Sequence, residues 1–338
     1  MAKKKPQPGR VLAVIEEFRK LLLAQDASTM EELARRWLQV ERRLEAQFRA
    51  LTLEIADLRA KGQPVTRAKL YEMERYRNLL AQALDETRRY QRWAEGRIAD
   101  GQREMAKLGI KSSEALIRES YLEAGKAVAR FDLLPVEAVE SMIGFAGNGS
   151  PLFDLLFKSY PDTIDRLTET LVQATAQGQN PRRTAALMAE AMSGNLQRAL
   201  VISRTEQVRA FRHAATMAMK ESGVVEGWIW RSARQPRTCM ACIVMDGTEH
   251  GLDEELDDHP NGRCFKQPKI KGLTPVETQS SAAWFELQTE EVQRAMMGDK
   301  AYEAWKSGAF KLSQLASRKE SSEWGTHIHV ASLEDLGL

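Results

Sequence analysis

From Leu33 to Tyr90 the apolar residues recur at every third or fourth position, and this spacing demands long helices. Leu33, Trp37, Val40, Leu44, Phe48, Leu51, Ile55 and Leu58 fall on one side of a helix, the stripe of a rod buried along one face. At a rise of ~1.5 Å per residue, Leu33 to Leu58 spans ~39 Å. Upstream, Ser28 and Glu31 have the spacing of a capping box, in which hydroxyl and carboxylate satisfy N–H groups that a helix start leaves unpaired. Lys61-Gly62-Gln63-Pro64 breaks the pattern, and Leu70, Met73, Tyr76 or Arg77, Leu80, Leu84, Thr87 and Tyr90 resume it. Two amphipathic helices joined by a short break predict an antiparallel hairpin. Helical spacing extends from Val11 to about Gly125, and the arginines and glutamates on the other faces read as solvated surface. No cluster of catalytic residue types falls in this arm.

Two later breaks carry helix-start chemistry. Ser150-Pro151 closes the loop 144–151 and predicts an N-cap with proline in the first turn. At 178–181, Gly178 ends one helix, Asn180 caps the next, and Pro181 sits where its missing N–H costs nothing. Arg182 and Arg183 then occupy a first turn, where the helix dipole disfavours cations. They read either as an anion-facing pair or as ordinary exposed surface.

A chain of 338 residues exceeds one typical domain, so two or more packing units are expected. The net charge is +2, so any nucleic-acid contact must come from local clusters rather than a global field. Lys3, Lys4, Lys5 and Arg10, set around two prolines, read as a disordered basic tail over 1–10, either a solubilising segment or a DNA or capsid contact. No apolar run approaches the ~18–20 residues that span a bilayer. The N-terminus has the charge of a signal peptide without its apolar region or cleavage site. Three cysteines, two in one C-x-x-C, make a disulfide scaffold unsuitable and point to a reducing cytoplasm.

Those cysteines carry the most specific chemistry. After a helix that ends near Gly223, Val224, Val225, Gly227, Trp228, Ile229 and Trp230 read as a strand. The series Cys239-x2-Cys242-x16-His259-x4-Cys264 follows, with a turn predicted at Asp246-Gly247. Three sulfurs and one imidazole make a closed tetrahedral set, suited to a structural zinc and leaving no position for a reactive water. The bland alternative is three reduced, buried thiols. His213, His250, His327 and His329 lack comparable company, although 327 and 329 would share a face if that segment were a strand.

The segment resembles the Mu F-like domain of phage head morphogenesis proteins. The resemblance rests on Arg204-Thr205-Glu206, Arg237-Thr238-Cys239, Cys242, Asp246-Gly247 and His259-Pro260-Asn261-Gly262-Arg263-Cys264. It is strongest over about 180–272, and Ala283-Trp284-Phe285, Met297-Gly298-Asp299, 301–308 and 312–315 agree with it. Members often carry a further cysteine just after the Pro-Asn; here that position is Gly262, which leaves His259 as the fourth ligand. The resemblance implies a low-copy prohead component in the phage head or at the portal vertex. Its partners would be the portal protein and other capsid proteins, with no membrane; contact with double-stranded DNA is a separate expectation that rests on the local basic residues. It would act in assembly, packaging or DNA delivery, after synthesis in the host cytoplasm. Arg204 and Glu206, two apart on a helix, point different ways. Glu206 is expected to hold Arg237 or a backbone N–H near the cysteines, and Arg204 a strand carbonyl or Asp246.

Enzyme readings fare less well. A zinc deaminase needs H-x-E ahead of P-C-x-x-C, whereas here His213-Ala214-Ala215 stands upstream and Thr238 precedes Cys239. An HNH-type nuclease would use His259 as base but lacks further His or Asn between Cys264 and Lys319. No nucleophile is paired by spacing with a His and an acid. The expected architecture is mainly α with a small α+β zinc-stapled core. It comprises a tail (1–10), a helical hairpin arm (11–130), a connecting region (131–200), the core (201–272) and a helical C-terminal segment (273–338). Lys3, Lys4, Lys5, Arg182 and Arg183 are the candidate DNA contacts.

Overall fold

A computed structural model describes residues 9–275 and 281–338; Lys3, Lys4 and Lys5 lie outside them. The protein is mainly helical, with a small sheet and a long N-terminal helix. Helix α1 is Arg10–Ala60, α2 Arg67–Glu72, α3 Glu74–Glu123, α4 Leu152–Phe157, α5 Tyr160–Ala176, α6 Pro181–Met192 and α7 Gly194–Glu221. Strand β1 (Val225–Arg231), helix α8 (Met240–Met245) and strands β2 (Glu249–Gly251) and β3 (Phe265–Ile270) follow. Helices α9 (Ser281–Glu286), α10 (Glu290–Met297) and α11 (Asp299–Lys306) precede the hairpin of β4 (Ala316–Ser321) and β5 (Gly325–Val330).

The chain divides into two units. One comprises Met1–Gln25, Gly101–Ile143 and Thr205–Leu338, the other Asp26–Asp100 and Gly144–Arg204. In the second, α1 and α3 run antiparallel: Glu32 pairs with Arg97, Arg43 with Glu86 and Glu54 with Arg75. The predicted stripe is the buried face, with Leu33, Trp37, Leu44, Phe48 and Leu51 almost without exposure. Trp37 and Tyr90 meet edge to face at 4.9 Å, and the Tyr90 hydroxyl donates to the Leu33 carbonyl at 3.3 Å. The Tyr76 hydroxyl lies 2.7 Å from Thr168 Oγ1; since Thr168 donates to the Ile164 carbonyl, Tyr76 is the donor of that pair.

Local signals fare unevenly. Asn180 caps α6 as expected, its Oδ1 accepting the Arg183 N–H at 2.8 Å. The Ser28–Glu31 box starts nothing: α1 passes through it back to Arg10. The stripe continues upstream in Val11, Ile15 and Leu22, all buried, and packing outweighs a local capping option. Pro151, not Ser150, is the N-cap of α4, because Asn148 Oδ1 already takes the Ser150 N–H and hydroxyl.

In the first unit the sheet has order β2-β1-β3, antiparallel throughout, with Trp228 opposite both His250 and Pro268. Trp228, Trp230, Ile117, Met219, Cys242, Cys264 and Ile270 share one core. Val11, Ile15, Met105, Leu116, Phe211 and Phe265 form another. The C-terminal segment is helical only to Leu315 and closes in β4–β5, where Ile328 is buried between His327 and His329 on the opposite face.

Two of the glycines on helix α3 have opposite surroundings. A Cβ at Gly109 would meet the Phe211 carbonyl oxygen at 2.2 Å, whereas one at Gly96 would meet nothing within 4 Å. Gly109→Ala is therefore expected to destabilise by about 1–3 kcal/mol through overpacking. Gly96→Ala should stabilise by up to about 1 kcal/mol through helix propensity. Urea unfolding of the two variants checks this; midpoints that move in the same direction would refute the close α3–α7 approach.

Candidate metal centre

The sequence that forms β1 ends at Arg231, and a buried carboxylate turns the chain there. Asp246 accepts the Ser232 N–H at 2.6 Å and the Arg234 guanidinium at 2.7 Å. Gly247 returns its N–H to the Trp230 carbonyl at 2.9 Å. The predicted turn at Asp246-Gly247 thus leads from α8 into β2. The C-x-x-C lies on the start of α8: Cys239 is its N-cap, and Cys239 Sγ accepts the Cys242 N–H at 3.4 Å. A sulfur at a helix N-terminus is favoured as thiolate.

The second half of the site comes from the loop 257–264, held by α7. Arg212 donates to the Cys264 carbonyl at 3.0 Å and to Asp258 Oδ2 at 2.7 Å. Thr205 Oγ1 accepts the Asn261 N–H at 3.1 Å. Asn261 stands at φ +65°, a left-handed conformation that asparagine tolerates. The Asp258 side chain has no exposed surface. Its Oδ1 accepts the His259 N–H at 2.9 Å and lies 3.3 Å from Cys242 Sγ, while Oδ2 also takes the Cys264 N–H at 3.2 Å. Gly262 makes room for it, since a Cβ there would sit 2.0 Å from that carboxylate.

Cys239, Cys242 and His259 bring their ligating atoms within 4.8 Å of one another, and so do Cys242, Asp258 and Cys264. The four predicted ligands thus gather as two triads that share Cys242, with Asp258 as an additional oxygen donor. All three cysteines are free thiols. His259 Nδ1 lies 2.8 Å from the Pro260 carbonyl. As donor there, it leaves the Nε2 lone pair for a ligand, the orientation common in metal-bound imidazoles. Sulfur and imidazole donors suit a borderline-soft ion and not a hard cation such as magnesium or calcium.

Electrostatics separates the thiols. A hydrogen bond from the Cys242 thiol, together with His259, holds Cys239 down to about 5 against burial. Donating that bond, the neighbouring Cys264 and burial all push Cys242 well above its ordinary value. Burial raises Cys264. Burial also works against the His259 imidazolium, but Cys239 and Asp258 outweigh it and bring the ring up to about 9. For Asp258, burial is overcome by Arg212, then His259 and the Cys264 N–H, which keep it below the usual carboxylate range. A cleft of about 240 Å³ opens over Cys239, bordered by Arg237, Thr238, His259, Asn261 and Arg263.

Of the other described candidates, Arg237 alone borders that cleft. Arg204 Nε donates to Asp26 Oδ2 at 2.6 Å, Asp246 engages Arg234, and Arg237 is exposed. Glu206 is buried, 3.5 Å from Arg209. Arg182 and Arg183 are exposed at the start of α6. The sequence singles out neither Asp258 nor Arg212 as a site residue, and Thr205 only as the middle of the Arg204-Thr205-Glu206 motif. A signal existed, because Thr205 and Arg212 stand seven apart and share a helix face.

In metal-free protein, iodoacetamide is expected to label Cys239 throughout the neutral range, with the rate falling as pH drops through about 5. Cys242 and Cys264 should react only at alkaline pH; peptide mass spectrometry that finds the three equally reactive at pH 7 would contradict the assignment. Arg212→Met strands the Asp258 charge and should cost about 3–5 kcal/mol. Unfolding curves should show much of that loss recovered in Arg212→Met/Asp258→Asn.

Residues 165–266 match the family model described as Phage Mu protein F like protein. The match spans all four predicted ligands and α7 and leaves out the whole of the α1–α3 hairpin. No curated protein and no solved structure matches the chain.

Proposed function

We propose that this chain, placed by residues 165–266 in the Phage Mu F-like family of head morphogenesis proteins, is a minor head protein that works by binding rather than catalysis. A role in phage head morphogenesis follows from the family. The observation that carries the finer reading is the thiol cluster within the matched residues. It is locked to α7 through Arg212, Asp258 and Thr205, the construction of a rigid core rather than of a mobile reaction centre.

Cys239, Cys242, His259 and Cys264 would hold a structural zinc, with Asp258 as neighbour. Such an ion supplies cross-linking of the α8 turn to the loop 257–264, worth ~10–16 kcal/mol in peptide models. Around that core the helical surfaces would meet the portal and other capsid subunits, in the phage head or at its portal vertex, during packaging or DNA delivery. Among the described residues no helix is long and apolar enough to cross a membrane. DNA contact through Lys3, Lys4, Lys5, Arg182 and Arg183 belongs to the same reading, as phosphate neutralisation that weakens steeply with salt.

Elemental analysis of purified protein should find about one zinc per chain, and Cys239→Ser/Cys264→Ser should lose it together with cooperative unfolding. Deletion of the coding sequence from its native phage genome is expected to leave few DNA-filled heads, restored by the wild-type chain and not by that variant. Normal yields of infectious particles without the chain would overturn the head role. A folded wild-type protein without metal would overturn the zinc.

A further inference from the structure

A groove of about 370 Å³ lies between α1 and α6, in the unit that does not hold the cysteines. From α1 it is lined by Leu38, Glu41, Arg42, Glu45, Phe48 and Arg49, and from α6 by Arg182, Ala185, Ala186 and Ala189. The α6 residues follow the i, i+3, i+4, i+7 spacing of one helix face, and Leu38, Glu41, Arg42 and Glu45 do the same on α1. The floor is apolar and open: Leu38 is 48% exposed at one end of the α1 wall, and Phe48 is buried towards the other. Alanines on α6 leave the space that larger side chains would fill.

Charge on the rim is not balanced. Glu41 accepts the Trp37 indole N–H at 2.8 Å, and Glu45 pairs with Arg49 at 2.5 Å. Arg42 and Arg182 have no ion pair among the described residues. Arg182 also stands in the first turn of α6, where the helix dipole already favours an anion. With Glu45 matched by Arg49, Arg42 and Arg182 stand against Glu41, a surplus of one positive charge over an apolar floor.

We infer that this groove receives an amphipathic helix with acidic flanks, contributed by a partner protein. From Leu38 to Arg49 the α1 wall runs eleven residues, ~16 Å or about three turns. That length suits apolar anchors at i, i+3 or i+4, and i+7 laid against Leu38, Phe48 and the alanines. Carboxylates beside those anchors meet Arg42 and Arg182. Duplex DNA fits less well, because phosphate recognition needs a run of cations and gains nothing from an apolar floor. The inference stands apart from the metal centre and from the head role, and gives the chain a docking site of its own.

The full-length protein is titrated against a fluorescein-labelled 14-residue helical peptide with leucines on one face and glutamates beside them. A twin peptide carries lysines instead, and a labelled 20-base-pair duplex is the third probe. The glutamate peptide is expected to bind, at least tenfold more tightly than its lysine twin. Arg42→Glu/Arg182→Glu should weaken it at least tenfold, Ala186→Glu should abolish it, and Arg77→Glu, an exposed charge reversal outside the groove, should change it less than twofold. Thermal melting shows whether Ala186→Glu is folded; if it is not, the double arginine variant carries the test. Equal binding of the two peptides, no binding of either, indifference to the groove substitutions, or displacement of the peptide by duplex would each overturn the inference.

Discussion

A carboxylate without exposed surface is costly unless both oxygens are engaged, and Asp258 meets that condition with partners from three places. Arg212 reaches it from α7, the backbone of His259 and Cys264 from its own loop, and the Cys242 sulfur lies 3.3 Å away on α8. Removing a partner from such a buried pair leaves an uncompensated charge, which is why these contacts act together. Two of the three sulfurs and the imidazole are placed against this one group, while Cys239 is set by the Cys242 N–H. Cys264 is set by its own N–H and carbonyl, Cys242 by its thiol, and His259 by the N–H that turns its ring toward Cys239. Gly262 belongs to the same arrangement, since only a residue without a side chain leaves Asp258 where it is.

What could be read from the sequence was local or periodic. The stripe from Leu33 to Leu58 names the buried face of α1 because a helix repeats its own geometry. The Asn180 cap reaches only three residues, and the cysteine spacing shows which thiols can meet. Asp258 escaped because an Asp beside a His in a polar loop looks solvated; only Arg212, 46 residues earlier in the chain, makes it a buried anion. Arg204 found Asp26, 178 residues away, and no short-range pattern ranks such a partner above Asp246. The β4–β5 hairpin was missed because Ser-Arg-Lys-Glu-Ser has little strand preference, and its pairing is bought by the burial of Ile328. Ser28 marks the opposite error, a valid local start overruled by packing upstream.

The matched residues and the long helices divide the chain's work. Residues 165–266 contain the cysteines, α7 and α6, so both the thiol core and one wall of the α1–α6 groove fall within the family segment. The other wall belongs to α1, outside the match. The docking groove inferred above would thus take one wall from the matched residues and the other from a helix outside them.

One core joins residues that are made far apart in time. Val11, Ile15 and Leu22 pack with Phe211 and Phe265, so this apolar face leaves the ribosome well before the residues that cover it. At about 5–20 residues per second the interval is on the order of 12–50 s. The unit built from 26–100 and 144–204 is complete while that face is still uncovered. During synthesis the N-terminal stripe is therefore a surface for chaperones, or for a neighbouring nascent chain, long before it becomes an interior.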